Sequence, residues 1–301
     1  MHVAVCCITF RRPEGLRSLL AGLAGLAFAH APAPRITVIV VDNDAAEPMR
    51  GLVEEIRPGF PWRLVYASEA VQGVASARNR YLELVPDDAD YIASIDDDEV
   101  PVPGWLDELL RVAHEHGAPI VQGPVRPAFV AAPPSWLERG RFLELGPYED
   151  GAALHFGYAG NCLIETAAVR RLGLRFDERF NRTGGEDQHF FAAALKAGLP
   201  IVTAAGAIVD ETVPSGRATL GYLLRRRFRM GNTLAMIERI DGGLGALAGR
   251  ALKGCGRIGV GIGQCLLLAP RGRAGLATGL CNMAWGTGAL VGLLGLRYRE
   301  Y

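Results

Sequence analysis

Residues 95–99 read Ile-Asp-Asp-Asp-Glu, four consecutive acids directly after an apolar run. Four carboxylates at one point repel one another, and a fold keeps them only where a cation or hydrogen-bond donors offset the cost. Mg²⁺ or Mn²⁺ suits such hard oxygen donors and commonly binds through one or two carboxylates together with substrate phosphates. The plain alternative is a solvated acidic turn, and these residues alone do not choose between the two.

Other stretches carry residues able to act beside those acids. Thr9-Phe10-Arg11-Arg12-Pro13 follows an apolar run, and a cation such as Arg12 could meet a diphosphate. Val41-Asp42-Asn43-Asp44 follows another. Asp42 could accept the imide N–H of a uracil, or Asp42 and Asp44 could merely cap the next helix. Gln72-Gly73-Val74-Ala75-Ser76-Ala77-Arg78-Asn79 is a small-residue turn leading into a helix, with Gly73 permitting close approach of a nucleotide and Arg78 pointing back toward the acids. Gly157 to Asn161, with Gly160 and Asn161 at its end, reads either as a close-approach loop for a sugar or as a simple turn. Thr183-Gly184-Gly185-Glu186-Asp187-Gln188-His189 opens an apolar helix. Its acids could serve as caps that complement the helix dipole, or one could deprotonate an acceptor hydroxyl reaching them past the glycines.

The elements that position these residues follow from hydrophobic periodicity. Apolar, β-branched runs at 2–9, 36–41 and 91–95 read as parallel strands buried on both faces, with a shorter strand at 63–66. Helical spacing covers 13–26, where Pro13 suits a helix start, and 47–56, and later 165–172, 187–197 and 219–240. This alternation predicts an α/β domain, whose ligands bind beyond the carboxyl ends of its strands, where the polar residues above fall. The proline-rich stretch 131–152 reads as a long surface loop over the site. A change to Gly, Ala and Leu with sparse Arg sets a boundary near Gly242, giving a domain of 1–241 and a C-terminal apolar helical segment of 242–301.

Length and composition fit this plan. With 301 residues, half of them hydrophobic, the chain can bury a sizeable core. Its net charge of zero hides an acidic body, 19 Lys/Arg against 29 Asp/Glu over residues 1–216, and a basic tail, 13 against 3 over 217–301. Such a tail suits phospholipid or nucleic acid. Its arginines lack interleaved aromatics and sit beside apolar runs, which favours lipid. Six scattered cysteines without CxxC spacing read as buried thiols of a reducing compartment, and the N-terminal residues lack a secretory pattern.

In order and spacing, TFRRP, VVDND, QGVASARN, IDDDE, GYAGN and GGEDQHFF resemble family 2 inverting glycosyltransferases of the GT-A fold, most of all bacterial exopolysaccharide glucosyltransferases of the succinoglycan type. The likeness spans roughly residues 1–235. It implies a nucleoside-diphosphate sugar donor, a glycan or lipid-linked acceptor, and a divalent cation, Mn²⁺ or Mg²⁺. It also implies that Asp42 contacts the base, Asp97 lies by the ribose and diphosphate, Asp98 ligates the metal and Asp187, paired with Glu186, is the catalytic base. Thr9, Phe10, Arg12, Asp44, Gly73, Arg78, Asp96, Gly160 and Asn161 are expected around the nucleotide sugar.

One departure is informative. Processive synthases of the family carry Gln-x-x-Arg-Trp after the base, whereas this chain has Leu224-Arg225-Arg226-Arg227-Phe228-Arg229, which favours a single addition. Among other functions, a dinucleotide-dependent oxidoreductase is disfavoured because the turn after the first strand has no GxGxxG. A sugar nucleotidyltransferase would need a Gly- and Lys/Arg-rich triphosphate loop, and a non-enzymatic membrane-surface scaffold would need only the tail. The 23 uncharged residues at 274–296 are long enough to span a bilayer core, while the 13 at 258–270 suit a shallow or re-entrant helix; the plain alternative is a pair of buried helices packed on the catalytic domain. Membrane association on the cytoplasmic face of the inner membrane is therefore expected, with no nucleic-acid partner.

Overall fold

The computed structural model describes residues 1–44, 49–146 and 148–298. In chain order its first half comprises β1 (His2–Thr9), α1 (Pro13–Ala24), β2 (Arg35–Asp42), α2 (Arg50–Ile56), β3 (Arg63–Ser68), α3 (Val74–Leu84), β4 (Tyr91–Ser94), β5 (Glu99–Pro101), α4 (Trp105–His116), β6 (Ile120–Gln122) and β7 (Val125–Phe129). The second half comprises α5 (Ser135–Gly140), β8 (Ala153–Leu154), β9 (Cys162–Glu165), α6 (Thr166–Leu172), α7 (Glu186–Lys196), β10 (Ile201–Thr203), β11 (Val209–Val213), α8 (Leu220–Asp241), α9 (Leu244–Leu267) and α10 (Arg273–Leu293).

The central sheet has eight strands in the order β3-β2-β1-β4-β9-β6-β10-β8. Only β9 and β8 run against the rest, so the sheet is mostly parallel. A second sheet of three strands has the order β5-β11-β7. Burial on both faces explains the continuous apolar runs of β1 and β2. Val3, Val5 and Cys7 face one core with Leu16, Leu19, Leu20 and Leu23 of α1, while Ala4 and Cys6 face the other with Tyr81, Ile92, Phe190 and Phe191. The alternation is the two-residue period of a strand.

Two compact units are distinguished. One holds Met1–Pro127, Glu144–Asn181 and Glu186–Thr212; the other holds Ala128–Leu143, Arg182–Gly185 and the chain from Val213 onward. The second unit thus takes in α8, ahead of the boundary expected at Gly242, where α8 ends and α9 is about to begin.

Several sequence expectations are corrected. The stretch 131–152 is not a plain loop: it contains α5, because Leu137 and Leu143 bury against Val213, Ala218, Leu223 and Cys281. The run 258–270 is not set off at its start: α9 enters it from Leu244 and ends at Leu267, and a short 3-10 turn follows at Ala269–Arg271. Of the expected helix 47–56, Arg50–Ile56 is formed, and Glu47 and Pro48 lie outside the described residues. All six cysteines are free, but Cys255 is exposed because it lies on an outward face of α9.

Candidate active site

The site is built where β1, β2 and β4 end, all within the first unit. At the end of β1, Thr9 Oγ1 donates to Asp97 Oδ2 at 2.9 Å. Arg11 adopts a left-handed φ of 56°, a strained turn for a residue with a side chain. Beyond it Arg12 Nη1 donates to Asp97 Oδ1 at 2.8 Å and to Asp98 Oδ2 at 2.9 Å. Burial works against the charge of Arg12, but Asp97 and Asp98 outweigh it and hold the guanidinium protonated. Burial likewise pushes Asp97 up to about 6, despite Arg12.

A second arginine serves the other side of the acidic turn. Arg78 of α3, 5% exposed, donates from Nη2 to Asp96 Oδ1 at 2.8 Å. Its Nη1 lies 3.1 Å from Glu186 Oε1, an ion pair whose angle falls outside hydrogen-bond geometry. Burial opposes the Arg78 charge, and Asp96 and Glu186 restore it. Burial also raises Asp96 above the usual carboxylate range and pushes Glu186 up to about 7, with Arg78 opposing in both cases. The acids of residues 96–98 are therefore no solvated turn; two guanidiniums pair with them.

Asp187 sits beside Glu186 at the start of α7 in a different environment. It is half-buried, and its Oδ1 accepts the backbone N–H of Gln188 at 2.7 Å. Gly184 and Gly185 before it have φ of 67° and 92°, left-handed turns that only glycine takes without strain. The Asp187 carboxylate thus satisfies one N–H of the first turn of α7 while staying partly accessible.

The remaining residues shape the walls. A side chain at Gly160 would put its Cβ 2.7 Å from Glu99 Oε1 and 3.1 Å from Asp96 Oδ2, so the 157–161 loop touches the acids through a glycine. Gly73, with φ 148°, abuts Asn181, whose Oδ1 accepts the Ser76 N–H. Phe10 is exposed beneath the Arg11 guanidinium. Asp44 pairs with Arg11 at 2.6 Å.

Two residues turn inward. Asp42, fully buried, accepts from Asp44 N, Tyr66 Oη and Met49 N, so its carboxylate is held by donors of the protein itself. Asn161 is fully buried too, donating to the carbonyls of Pro124 and Ala207 and accepting from Trp105 Nε1, so its amide holds the loop.

Sequence reasoning gave no individual role to three contributors. Glu99 accepts the Asp96 N–H at 3.0 Å and ties the turn together. Gly15 lets α1 approach, since a Cβ there would lie 2.5 Å from Asp97 O. Asn181 braces Gly73 and Ser76. Gly15 left a signal, a glycine inside a helical pattern that would otherwise prefer alanine.

The donor chemistry suits a hard cation. Among the described residues no three His, Cys, Asp or Glu side chains form a cage able to hold a metal on their own. Asp96 and Asp98 instead offer carboxylate oxygens at one turn, which fits a cation completed by substrate phosphates.

Comparisons with known proteins agree with this geometry. The profile described as Glycosyl transferase family 2 matches residues 4–173. Succinoglycan biosynthesis protein ExoM of Rhizobium meliloti (strain 1021) is 37% identical over 234 residues, covering 77% of this chain and 74% of that protein. Among solved structures, the mannosyltransferase PcManGT from Pyrobaculum calidifontis, in complex with GDP-Man and Mn2+, is similar with a TM-score of 0.61 at 17% identity, covering 95% of this chain and 86% of that one. S. aureus TarS 1-349 in complex with UDP-GlcNAc gives a TM-score of 0.55 at 15% identity, covering 99% and 93%. These rule against a purely non-enzymatic scaffold and a nucleotidyltransferase. The chain belongs to glycosyl transferase family 2 and is a glycosyltransferase with the GT-A fold.

Proposed function

We propose that this enzyme transfers a single sugar, with inversion, from a UDP-sugar to a hydroxyl of a lipid-linked glycan during exopolysaccharide synthesis at the cytoplasmic face of the inner membrane. The observation that carries it is the pair of arginine clamps: Arg12 holds Asp97 and Asp98, and Arg78 joins Asp96 to the Glu186–Asp187 end of α7. This arrangement brings together the acids expected at a donor diphosphate and the acids expected at an acceptor hydroxyl.

In this reading the acceptor oxygen attacks the anomeric carbon as the bond to the donor diphosphate breaks. Asp187, more open than Glu186, takes the hydroxyl proton, while Glu186 and Arg78 fix its place. Arg12 is poised for the diphosphate, and Gly73 and Gly160 let the walls beside it pack closely on Asn181 and the acids. Asp98, with Asp96 beside it, would hold a Mn²⁺ or Mg²⁺ ion, which supplies positive charge to offset the leaving group. Likeness to proteins solved with UDP-GlcNAc and GDP-Man supports a nucleotide-sugar donor.

A donor screen tests the proposal: release of UDP, GDP or dTDP is followed with divalent metal and a lipid-linked acceptor. Acceptor-dependent release of UDP is expected, and release of a different nucleoside diphosphate would refute the assignment of the base.

A further inference from the structure

Of the described helices, α10 is the one long and apolar enough to cross a membrane. Yet much of it faces protein: nine of its 21 residues are buried. Side chains at Gly286 and Gly279 would meet Gly254 O and Gly261 O of α9 at 2.5 Å, and one at Gly288 would meet Phe228 O of α8 at 1.9 Å. Backbones this close commit much of the circumference of α10 to α8 and α9, while Leu276 and Thr287 stay exposed.

The neighbouring helix has the opposite character. Only Gly254 and Gly261 of α9 are buried. Leu252, Leu266 and Leu267 are 76%, 74% and 80% exposed, and Cys255 and Val260 are exposed with them. Their spacing places all five on one face. Glycines 256 and 259 between them have nothing within 4 Å, so the stripe is smooth and uncovered. Exposed leucines in such a row are a liability in water unless something covers them.

Charge identifies the cover. Residues 244–267 contain Arg250, Lys253 and Arg257 and no acid. Arg250 is paired with Glu238, and Arg257 lies over the Trp285 ring at 4.2 Å, which leaves Lys253 exposed along the edge of the stripe. Arg271 and Arg273, both exposed, follow at the C-terminal end of the helix. An apolar stripe edged by cations alone complements an anionic phospholipid surface.

We propose that α9 lies flat in the headgroup region of an anionic bilayer, its Leu252–Leu267 stripe facing the acyl chains, while α10 stays inside the protein as the support on which α9 rests. The proposal deepens the reading of this enzyme as one acting on a lipid-linked acceptor, and it replaces a spanning anchor with an in-plane one.

The test uses the purified full-length chain with Cys265→Ser, an environment-sensitive fluorophore on Cys255, and vesicles of phosphatidylcholine with or without phosphatidylglycerol. Phosphatidylglycerol vesicles should sediment the protein and shift the label to the blue, and high salt should weaken both. Leu252→Asn/Val260→Asn/Leu267→Asn, all at exposed positions, should lower vesicle partitioning by about tenfold or more while donor-dependent nucleotide release persists. A label that stays in a water-like environment on sedimented protein overturns the proposal, as does wild-type partitioning by the triple variant. A blue shift that needs protein concentration and no vesicles would assign the face to a second copy of the chain, and overturns it too. Vesicle binding without any nucleotide release would refute sugar transfer instead and leave this inference standing.

Discussion

Arg78 reaches Glu186 across 108 residues of sequence, its Nη1 3.1 Å from Glu186 Oε1, with both side chains buried and Asp96 on the same guanidinium at 2.8 Å. A single cation thus fixes the end of α7 against the acidic turn. Arg78→Ala leaves the buried Glu186 and the half-buried Asp96 without their counter-charge. It should lower unfolding free energy by about 3–5 kcal/mol, read by urea denaturation, and abolish transfer. Arg78→Lys should recover part of the stability and little of the activity, because a point charge cannot serve two carboxylates as a planar fork does.

Gly160→Ala tests the contact between the 157–161 loop and the acids. Its Cβ would fall 2.7 Å from Glu99 Oε1, so the loop or the buried carboxylate must shift. A loss of about 1–3 kcal/mol in stability is expected, with a larger fall in kcat/KM than the same substitution at exposed Gly51, which has nothing within 4 Å.

The pH dependence of stability should carry the mark of Glu186. Its carboxyl is raised from 4.5 to about 7, so between those values the folded chain binds more protons than the unfolded one. Stability from this group is therefore present below about pH 4.5 and lost as pH rises to about 7. Against Glu186→Gln, which does not titrate, the wild-type advantage in melting temperature should shrink across that window and stay level above it.

Much of this was legible in the sequence and some was not, for physical reasons. The strands β1, β2 and β4 announce themselves because burial on both faces demands unbroken apolar runs, and the acids after β4 because a strand end places them in the open side of an α/β sheet. Local spacing could not show that Asp42 and Asn161 turn inward, since their partners Tyr66, Trp105, Pro124 and Ala207 come from elsewhere in the chain. Nor could it show that α10 is the more buried and α9 the more exposed of the two: both are rich in Gly, Ala and Leu, and packing alone separates them.

Asp98→Asn tests the cation. Nucleotide binding measured by calorimetry should become weaker in Mn²⁺ and change little in EDTA, and turnover should fall by about 10² or more. Wild-type enzyme should lose turnover in EDTA and regain it with Mn²⁺ or Mg²⁺. Turnover by the variant in EDTA equal to that of the wild type in Mn²⁺ would contradict the assignment.

The proposed mechanism depends most directly on a base at the start of α7, and single-turnover kinetics of Asp187→Asn measures it. The variant should bind donor with wild-type affinity and keep its melting temperature, while the chemical step slows by at least about 10². An unchanged chemical rate with a lowered melting temperature would contradict the base assignment and leave Asp187 as the cap of α7.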